Sequence, residues 1–202
     1  LPSERAGCSL AASITAEDVR SLRAQYPGVP VVTYVNTYAD VKAESDICCT
    51  SGNAVEVVNS LQSDAIIFLP DEYLGGNVAN ETGRRFLLPG VPLPAHGEKV
   101  LIGWRGRCEV HEKFSVKDIT DVRAQFPEVA ILAHPECSPE VTNASDFSGS
   151  TGAMIKYVRQ TTAPQYLLLT ECSMGDNIAA ENPDKDMLRL CMVRCPHMNT
   201  IT

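Results

Sequence analysis

The chain has 202 residues, of which 44% are apolar and 21% charged, and its formal net charge is −8. These proportions are ordinary for a globular protein with one large core or two smaller ones. The negative charge argues against a nucleic-acid-binding protein, because no basic stripe is present to meet phosphates. The longest apolar runs, such as AIIFLP at 65–70, are too short to cross a membrane. We therefore expect neither nucleic acid nor membrane as a partner.

The first predicted element is a helix that begins after Thr15. Thr15 and Asp18 have the spacing of a hydroxyl N-cap and a first-turn acid. Apolar residues then recur on one face, and Pro27 is expected to end the helix. The members of that face are Ala16, Val19, Leu22 and Tyr26.

The segments that follow alternate between strand and helix patterns. VPVVTYV at 29–35 is a continuous apolar run, as in a parallel strand covered on both faces. SGNAVEVVNSL at 51–61 predicts a helix, and AIIFLP a second strand. LLPGVPLPAHGEK at 87–99 contains three prolines and is the expected connector.

The same series starts again 100 residues later. LRAQYPGVPVVTYVN at 22–36 has its counterpart in VRAQFPEVAILAHPE at 122–136. The offset also pairs Ser115-x-x-Asp118 with the first helix start, and TGAMIKYV at 151–158 with the first SGNAVEVV. YLLLTE at 166–171 then predicts a second strand, as AIIFLP does in the first copy. A gapless repeat of this period predicts duplicated domains rather than a solenoid. The predicted fold class is therefore α/β, with repeated three-layer αβα sandwich domains built on parallel sheets.

In open α/β sheets, ligands bind beyond the carboxyl ends of the strands. Tyr34 and Asn36 occupy such an end in the first copy, and His134 and Glu136 occupy it in the second. Because the scaffold is copied while these tips differ, we expect each copy to supply different groups to one shared site. A histidine at a strand end is also compatible with a purely structural role.

The remaining polar candidates have alternative readings. Ser51 and Thr151 precede predicted helices, so they could bind an anion, act as N-caps, or do both. The role of His111 is left open by its sequence context. Arg23 and Arg123 are expected on solvated helix faces.

Eight cysteines are many for a chain of this size. Because strand and helix patterns alternate as in intracellular α/β enzymes, we expect reduced thiols, some structural and some bound to metal. The adjacent Cys48 and Cys49 lie in an apolar run and are expected to be buried and inert. In CMVRCPHM, the pair Cys191 and Cys195 with a following histidine is a weak zinc half-site, whereas Cys-Pro is typical of iron–sulfur ligation.

Several stretches together resemble bacterial quinolinate synthases over nearly the whole chain. They are AGCSLA, PVVTYVNTYADVKAESDICCTSGNAVEVV, FLPDEYLGGNVANETG, GRCEVHEKF, ILAHPECSPEV, DFSGSTGAMI and CPHMN. The resemblance implies a transferase that condenses iminoaspartate with dihydroxyacetone phosphate to quinolinate, the pyridine precursor of NAD. It also implies a cytoplasmic location, L-aspartate oxidase as upstream supplier, and three homologous domains about a pseudo-threefold axis. A non-catalytic α/β module that binds a small anion remains the alternative.

The resemblance also implies the cofactor and the site residues. The family's ligands for one [4Fe–4S] cluster match Cys8, Cys108 and Cys195, while Cys48, Cys49, Cys137 and Cys172 match no ligand position, and Cys191 is the least certain negative. The catalytic candidates are Glu136, Tyr34 and His134. The substrate-binding positions are Tyr34, Val35, Asn36, Ser51, His134, Pro135, Glu136 and Thr151.

Domain organisation follows from the repeat and the resemblance together. We assign 13–100 and 101–190 to the two α/β repeats, 1–12 to a remnant of a preceding domain that carries the first cluster cysteine, and 191–202 to a return segment that carries the third. Because the chain begins at Leu1 and lacks the family's full N-terminal domain, we expect a fragment that is inactive alone.

Overall fold

The computed structural model describes residues 3, 6–94, 97–190 and 193–200. The chain divides into two compact units. The first unit is Gly7–Cys108, and the second consists of Glu109–Thr202 with Leu1–Ala6. Among the described residues, no helix is both long and apolar enough to cross a bilayer.

The first unit is a parallel five-stranded sheet flanked by helices. Its strands are β1 (Val31–Tyr34), β2 (Ile47–Cys49), β3 (Ala65–Leu69), β4 (Arg85–Leu87) and β5 (Val100–Ile102), and its helices are α1 (Ala16–Gln25), α2 (Ala39–Ala43), α3 (Ala54–Ser60) and α4 (Glu72–Glu81). The strand order is β2-β1-β3-β5-β4, and every pairing is parallel. The predicted α/β class is confirmed for this unit.

The second unit repeats this arrangement with four strands. Its strands are β6 (Val129–Ala133), β7 (Phe147–Ser148), β8 (Gln165–Leu169) and β9 (Asp186–Leu188), and its helices are α5 (Val116–Gln125), α6 (Pro139–Ala144), α7 (Thr151–Gln160) and α8 (Cys172–Glu181). The order β7-β6-β8-β9 is again parallel throughout. Short 3-10 helices occupy Ala11–Ser13, His111–Lys113 and Met198–Thr200.

The two units differ in one strand. In the second unit β9 pairs directly with β8, whereas in the first unit β5 lies between β3 and β4 and pairs with both. The first unit therefore extends past residue 100, the end that the repeat assigns to it, because Val100–Ile102 completes its sheet. Nothing in the repeat indicates this insertion.

The helix starts form as the sequence predicts. Thr15 and Ser115 each accept a hydrogen bond from the N–H of the aspartate three residues on, and each aspartate accepts one in return from the cap backbone. These capping boxes satisfy amide groups that would otherwise lack partners at a helix start. The two helices end at Gln25 and Gln125, two residues before the prolines.

Both faces of the sheets are buried, as continuous apolar strands require. In β3, Ile66 and Phe68 join one hydrophobic cluster, and Ile67 and Leu69 join another on the opposite face. Each such side chain contributes about 1.5–3 kcal/mol when fully buried. The three-layer sandwich is thus a direct consequence of alternating side chains that are apolar on both faces. An exception to the predicted helix faces is Val116, which is 42% exposed.

Two arginines are more constrained than the sequence suggests. Arg23 and Arg123, expected on solvated faces, are half-buried, and they pair with Asp46 at 2.9 Å and Asp146 at 2.7 Å. Both side chains keep more than a third of their surface exposed, and the helix register turns them toward the start of the neighbouring strand. The repeat therefore extends to tertiary contacts.

Candidate functional site

The carboxyl end of β1 brings two predicted residues together. Tyr34 is the last residue of β1 and is buried, and its hydroxyl accepts a hydrogen bond from Asn36 Nδ2 at 3.2 Å. The chain turns here because Thr37 Oγ1 donates to the carbonyl of Tyr34 at 3.1 Å. Val35, between them, is 43% exposed. The tip of β1 thus presents a phenol and an amide in mutual contact.

The carboxyl end of β6 carries the corresponding pair in the second unit. His134 follows β6, and its backbone N–H donates to the carbonyl of Leu169 at 3.2 Å. Two residues later, the backbone N–H of Glu136 donates to His134 Nδ1 at 3.3 Å. Both side chains are buried, and the intervening Pro135 is buried as well.

The Glu136 carboxylate is engaged by a histidine whose role the sequence leaves open. His111 Nδ1 lies 2.9 Å from Glu136 Oε2, and His111 Nε2 lies 3.0 Å from Thr170 Oγ1. The His111 ring stacks on the His134 ring, with centroids 4.7 Å apart and planes inclined by 22°. His111, His134, Glu136 and Thr170 therefore form one buried polar cluster.

Thr170 is the member of this cluster that sequence reasoning missed. It follows β8 directly, in the same way that His134 follows β6. Since the carboxyl ends of parallel neighbours meet at one sheet edge, its place after YLLL could have identified it.

His134 is held neutral at physiological pH. Burial lowers the pKa of His134 to about 4; the nearby Glu136 carboxylate opposes this shift and His111 adds to it. Because Nδ1 accepts the Glu136 amide hydrogen bond, the proton of the neutral ring is on Nε2. The side chain is thus a neutral N–H donor.

Ser51 and Thr151 lie at the same sheet edges as the strand tips. Ser51 follows β2, which is the neighbour of β1, and Thr151 follows β7, which is the neighbour of β6. Neither residue is a helix N-cap, which was the alternative to anion binding. The caps are Asn53 and Ser150, and Ser150 Oγ accepts from the N–H of Ala153 at 3.3 Å. Thr151 is instead the exposed first residue of α7.

Three cysteines share one local backbone structure. Cys8, Cys108 and Cys195 each come directly before a two-residue turn that leads into a three-residue 3-10 helix. One hydrogen bond recurs in each, from the amide five residues after the cysteine to the carbonyl two residues after it. The pairs are Ser13 to Leu10 at 3.1 Å, Lys113 to Val110 at 3.3 Å, and Thr200 to His197 at 3.3 Å. None of the three forms a disulfide, and all three are half-exposed.

The third of these turns is anchored within the second unit. His197 Nε2 lies 3.1 Å from Glu109 Oε1. Sequence comparison alone pairs Cys8 with Cys108. The backbone adds Cys195 to the set, although the residues after it, PHMNT, share little with SLAAS or EVHEK.

The other described cysteines have different surroundings. Cys49, Cys137 and Cys172 are buried. Burial raises the pKa of Cys49 to about 12, and the neighbouring Cys48 adds a smaller effect in the same direction. Cys137 Sγ donates a hydrogen bond to the carbonyl of Leu169 at 3.4 Å. Cys48 is exposed, so the prediction that it is buried was wrong. The reason is that β2 is an edge strand and successive side chains point to opposite faces. Cys191 lies outside the described residues.

Comparison with known proteins identifies the family. Residues 1–202 match the family described as "NadA: Quinolinate synthetase A protein". The chain belongs to the quinolinate synthetase A family. Quinolinate synthase 2 of Mesorhizobium japonicum is 54% identical over 202 residues, which are 100% of this chain and 57% of that protein. For the quinolinate synthase of Agrobacterium fabrum the identity is 54%, over 100% of this chain and 54% of that protein.

A third relative, the quinolinate synthase of Xylella fastidiosa, is 52% identical over 100% of this chain and 55% of its own length. The chain thus spans about half the length of the curated relatives that it matches. The resemblance stated from the sequence is confirmed at the level of the family.

Proposed function

We propose that the protein to which this chain belongs is a quinolinate synthase, which condenses iminoaspartate with dihydroxyacetone phosphate in NAD biosynthesis. Membership of the quinolinate synthetase A family supports the reaction class. The observation that carries the proposal is the turn shared by Cys8, Cys108 and Cys195. Three thiols placed alike in three backbone copies are the donor set that a pseudo-threefold cluster site needs.

These three cysteines would hold a [4Fe–4S] cluster. Their thiols suit the group, because they are in no disulfide and are half-exposed, whereas Cys49, Cys137 and Cys172 are buried. When bound through three thiolates, such a cluster supplies a Lewis acid at its fourth iron for the loss of water.

The buried cluster around Glu136 is the proposed site of proton transfer. Glu136 is held on its carboxylate by His111 and on its backbone N–H by His134 Nδ1. Such a carboxylate can take a proton during enolisation and return it during dehydration. His134, neutral with its proton on Nε2, would donate a hydrogen bond to a substrate oxygen without adding a charge.

Tyr34 is the second proposed acid–base residue. Its hydroxyl already accepts a hydrogen bond from Asn36, which fixes the phenol at the tip of β1. With that bond made, the phenol proton can be donated to substrate. Asn36 would also bind substrate, as would the chain at Val35 and Pro135.

Ser51 and Thr151 are the proposed anion anchors. Thr151 begins the ten-residue helix α7, whose first amide groups have no partners within the helix. Ser51 lies at the matching edge of the first sheet, after β2. Both substrates carry carboxylate or phosphate groups that such positions bind.

Membership of the family also suggests the source of one substrate and the cellular compartment. Iminoaspartate would come from L-aspartate oxidase, and the cytoplasm would keep the thiols reduced. The seven described cysteines form no disulfide, which fits such a location. Since the relatives are nearly twice as long, we propose that the 202-residue chain alone is inactive.

The test is anaerobic reconstitution of the full-length protein with iron and sulfide, followed by measurement of quinolinate. The 202-residue chain is assayed beside it. Quinolinate from the full-length protein alone is expected. A full-length protein that binds iron but forms no quinolinate from both substrates would contradict the proposal. Binding of small anions without iron would favour the non-catalytic module.

A further inference from the structure

The three cysteine turns differ in the residue that anchors them. In each turn, the carbonyl of the residue two after the cysteine accepts the recurring backbone hydrogen bond. That residue is Leu10 in the first turn and Val110 in the second, and both are buried, with relative exposures of 0% and 2%. Burial of an apolar side chain is favourable, so it holds each of these two turns against the protein from this one position.

The third turn has a histidine at the same position. His197 is half-buried, and the 3-10 helix that follows it, Met198–Thr200, has no buried residue. The corresponding helices of the other two turns bury Ala11 and His111. Within the described residues, the turn that carries Cys195 therefore lacks the apolar anchor of the other two.

A polar contact stands where the apolar anchor is missing. His197 Nε2 lies 3.1 Å from Glu109 Oε1, and the two side chains keep 34% and 29% of their surface exposed. Glu109 Oε1 itself is shielded from solvent, and removal of a carboxylate oxygen from water costs free energy unless a partner compensates. The imidazole of His197 is in place to compensate that cost. The contact therefore favours one placement of the third turn.

The position of both residues in the sequence gives the contact its meaning. Glu109 is bonded directly to Cys108, His197 is two residues after Cys195, and both contact residues belong to the second unit. The offset of 100 places Ser9 opposite Glu109, so the first turn has no carboxylate at this point. The carboxylate thus occurs in the turn that meets a histidine, and the histidine occurs in the turn without an apolar anchor.

We propose that Glu109 and His197 form a latch that positions Cys195 for the cluster. The inference rests on the proposed function, because it takes Cys108 and Cys195 as ligands of the iron. Neither latch residue is itself a ligand, and both act through the placement of the third cysteine. Since the latch orders this turn before iron is bound, its loss should speed the release of iron without removing a donor atom.

The first experiment needs neither iron nor activity. Hydrogen exchange in the iron-free full-length protein, followed by mass spectrometry, reports on the amides of Asn199 and Thr200, which close the third turn. We expect Glu109→Gln and His197→Gln each to speed this exchange by about two- to fivefold, the scale of a partly exposed ion pair. Glu112→Gln removes the same charge from an exposed position in the same segment, so it is the matched control and should change nothing. Unchanged exchange in both latch variants would overturn the inference.

The second experiment follows iron in the reconstituted full-length protein. Excess EDTA is added under anaerobic conditions, and the release of iron is measured over time. We expect Glu109→Gln and His197→Gln to start with the iron content of the unchanged protein and to lose it about two- to fivefold faster. Glu112→Gln should release iron at the rate of the unchanged protein. The exchanged pair, Glu109→His with His197→Glu, restores a carboxylate and an imidazole in contact and should recover most of both effects.

The outcomes distinguish this inference from the proposed function. If the unchanged full-length protein binds no iron, the synthase proposal fails, and hydrogen exchange still decides whether the latch exists. If exchange speeds but iron release does not, the latch does not position Cys195, while the cysteine assignment stands. If the exchanged pair recovers neither effect, the contact is not their cause and the inference is wrong. The exchanged pair retains both kinds of side chain, so it stays informative if a single variant folds poorly.

Discussion

Asp46 accepts a hydrogen bond from the backbone N–H of Val31, with 2.7 Å between Oδ2 and the nitrogen. The carboxylate before β2 therefore fixes the first residue of β1, and the second unit repeats the contact between Asp146 and Ile131 at 2.8 Å. Burial raises the pKa of Asp46, but the hydrogen bonds from Val31 and Arg23 outweigh it and hold the pKa below its ordinary value.

We predict that Asp46→Ala lowers the free energy of unfolding by about 1–3 kcal/mol, since it leaves the buried Val31 amide without its acceptor. Asp46→Asn should cost less, because an amide oxygen can still accept. Urea denaturation followed by circular dichroism measures both, with exposed Glu56→Ala as the control. Because the folded pKa is depressed, the contribution of the ionised group should be present above the ordinary pKa of aspartate and lost as pH falls through the folded value. An Asp46→Ala variant as stable as Glu56→Ala would contradict the assignment.

The features that the sequence predicts correctly depend on neighbours in the chain. The capping boxes at Thr15 and Ser115 and the apolar runs of β3 and β8 are determined by local chemistry and by burial on both faces. The 100-residue offset further predicts that the strand tips correspond.

The features that the sequence did not reveal depend on contacts between residues that are far apart in the chain. The contacts of His111 join segments 25 and 59 residues away, so the local sequence does not show that His111 meets Glu136 and Thr170. The turn after Cys195 matches those after Cys8 and Cys108 only in its backbone, because its side chains have diverged. The position of β5 between β3 and β4 is likewise set by pairing partners, which its three apolar residues do not specify.

The cysteine assignment gives the second prediction. Cys8→Ser, Cys108→Ser and Cys195→Ser should each lower the iron bound per chain after anaerobic reconstitution of the full-length protein, because a hydroxyl is a poor ligand for iron–sulfur clusters. Cys48→Ser and Cys137→Ser are the controls, one exposed and one buried, and should keep full iron content. Full iron in Cys108→Ser, or none in Cys137→Ser, would refute the assignment.

Acid–base chemistry at the strand tips gives the third prediction. Glu136→Gln should keep the iron and lower kcat by about 10²–10⁴-fold, because it removes proton transfer while preserving shape. The loss should appear in kcat rather than KM if the carboxylate acts in the transition state. Exposed Glu140→Gln, on α6, is the matched control and should be silent. Near-normal turnover of Glu136→Gln would end its candidacy.

Tyr34→Phe should follow the same pattern with a smaller loss if the phenol only binds substrate. The change also removes the acceptor for Asn36 Nδ2. Asn36→Ala separates the two effects, because it keeps the phenol and removes its orienting partner. A Tyr34→Phe loss no larger than that of Asn36→Ala would show that proton transfer does not pass through the phenol.

The pH dependence of stability gives the fourth prediction. His134 has a folded pKa of about 4 against an ordinary value near 6.5, so the unfolded chain binds more protons than the folded one between these values. Stability must then rise with pH across that window and fall as the solution is acidified. From pH 7 to pH 5 we expect the 202-residue chain to lose about 2 kcal/mol through this residue.

His134→Gln isolates this effect, because glutamine keeps a polar side chain and does not titrate. Urea denaturation at pH 7 and pH 5 should show a smaller acid loss in His134→Gln than in the unchanged chain, by the amount that His134 contributes. His197→Gln, which replaces a half-exposed histidine in the same unit, is the control and should retain the His134 contribution to the loss. Equal acid sensitivity of His134→Gln and the unchanged chain would mean that His134 is not buried in its neutral form, and its proposed role as an uncharged hydrogen-bond donor would fail with it.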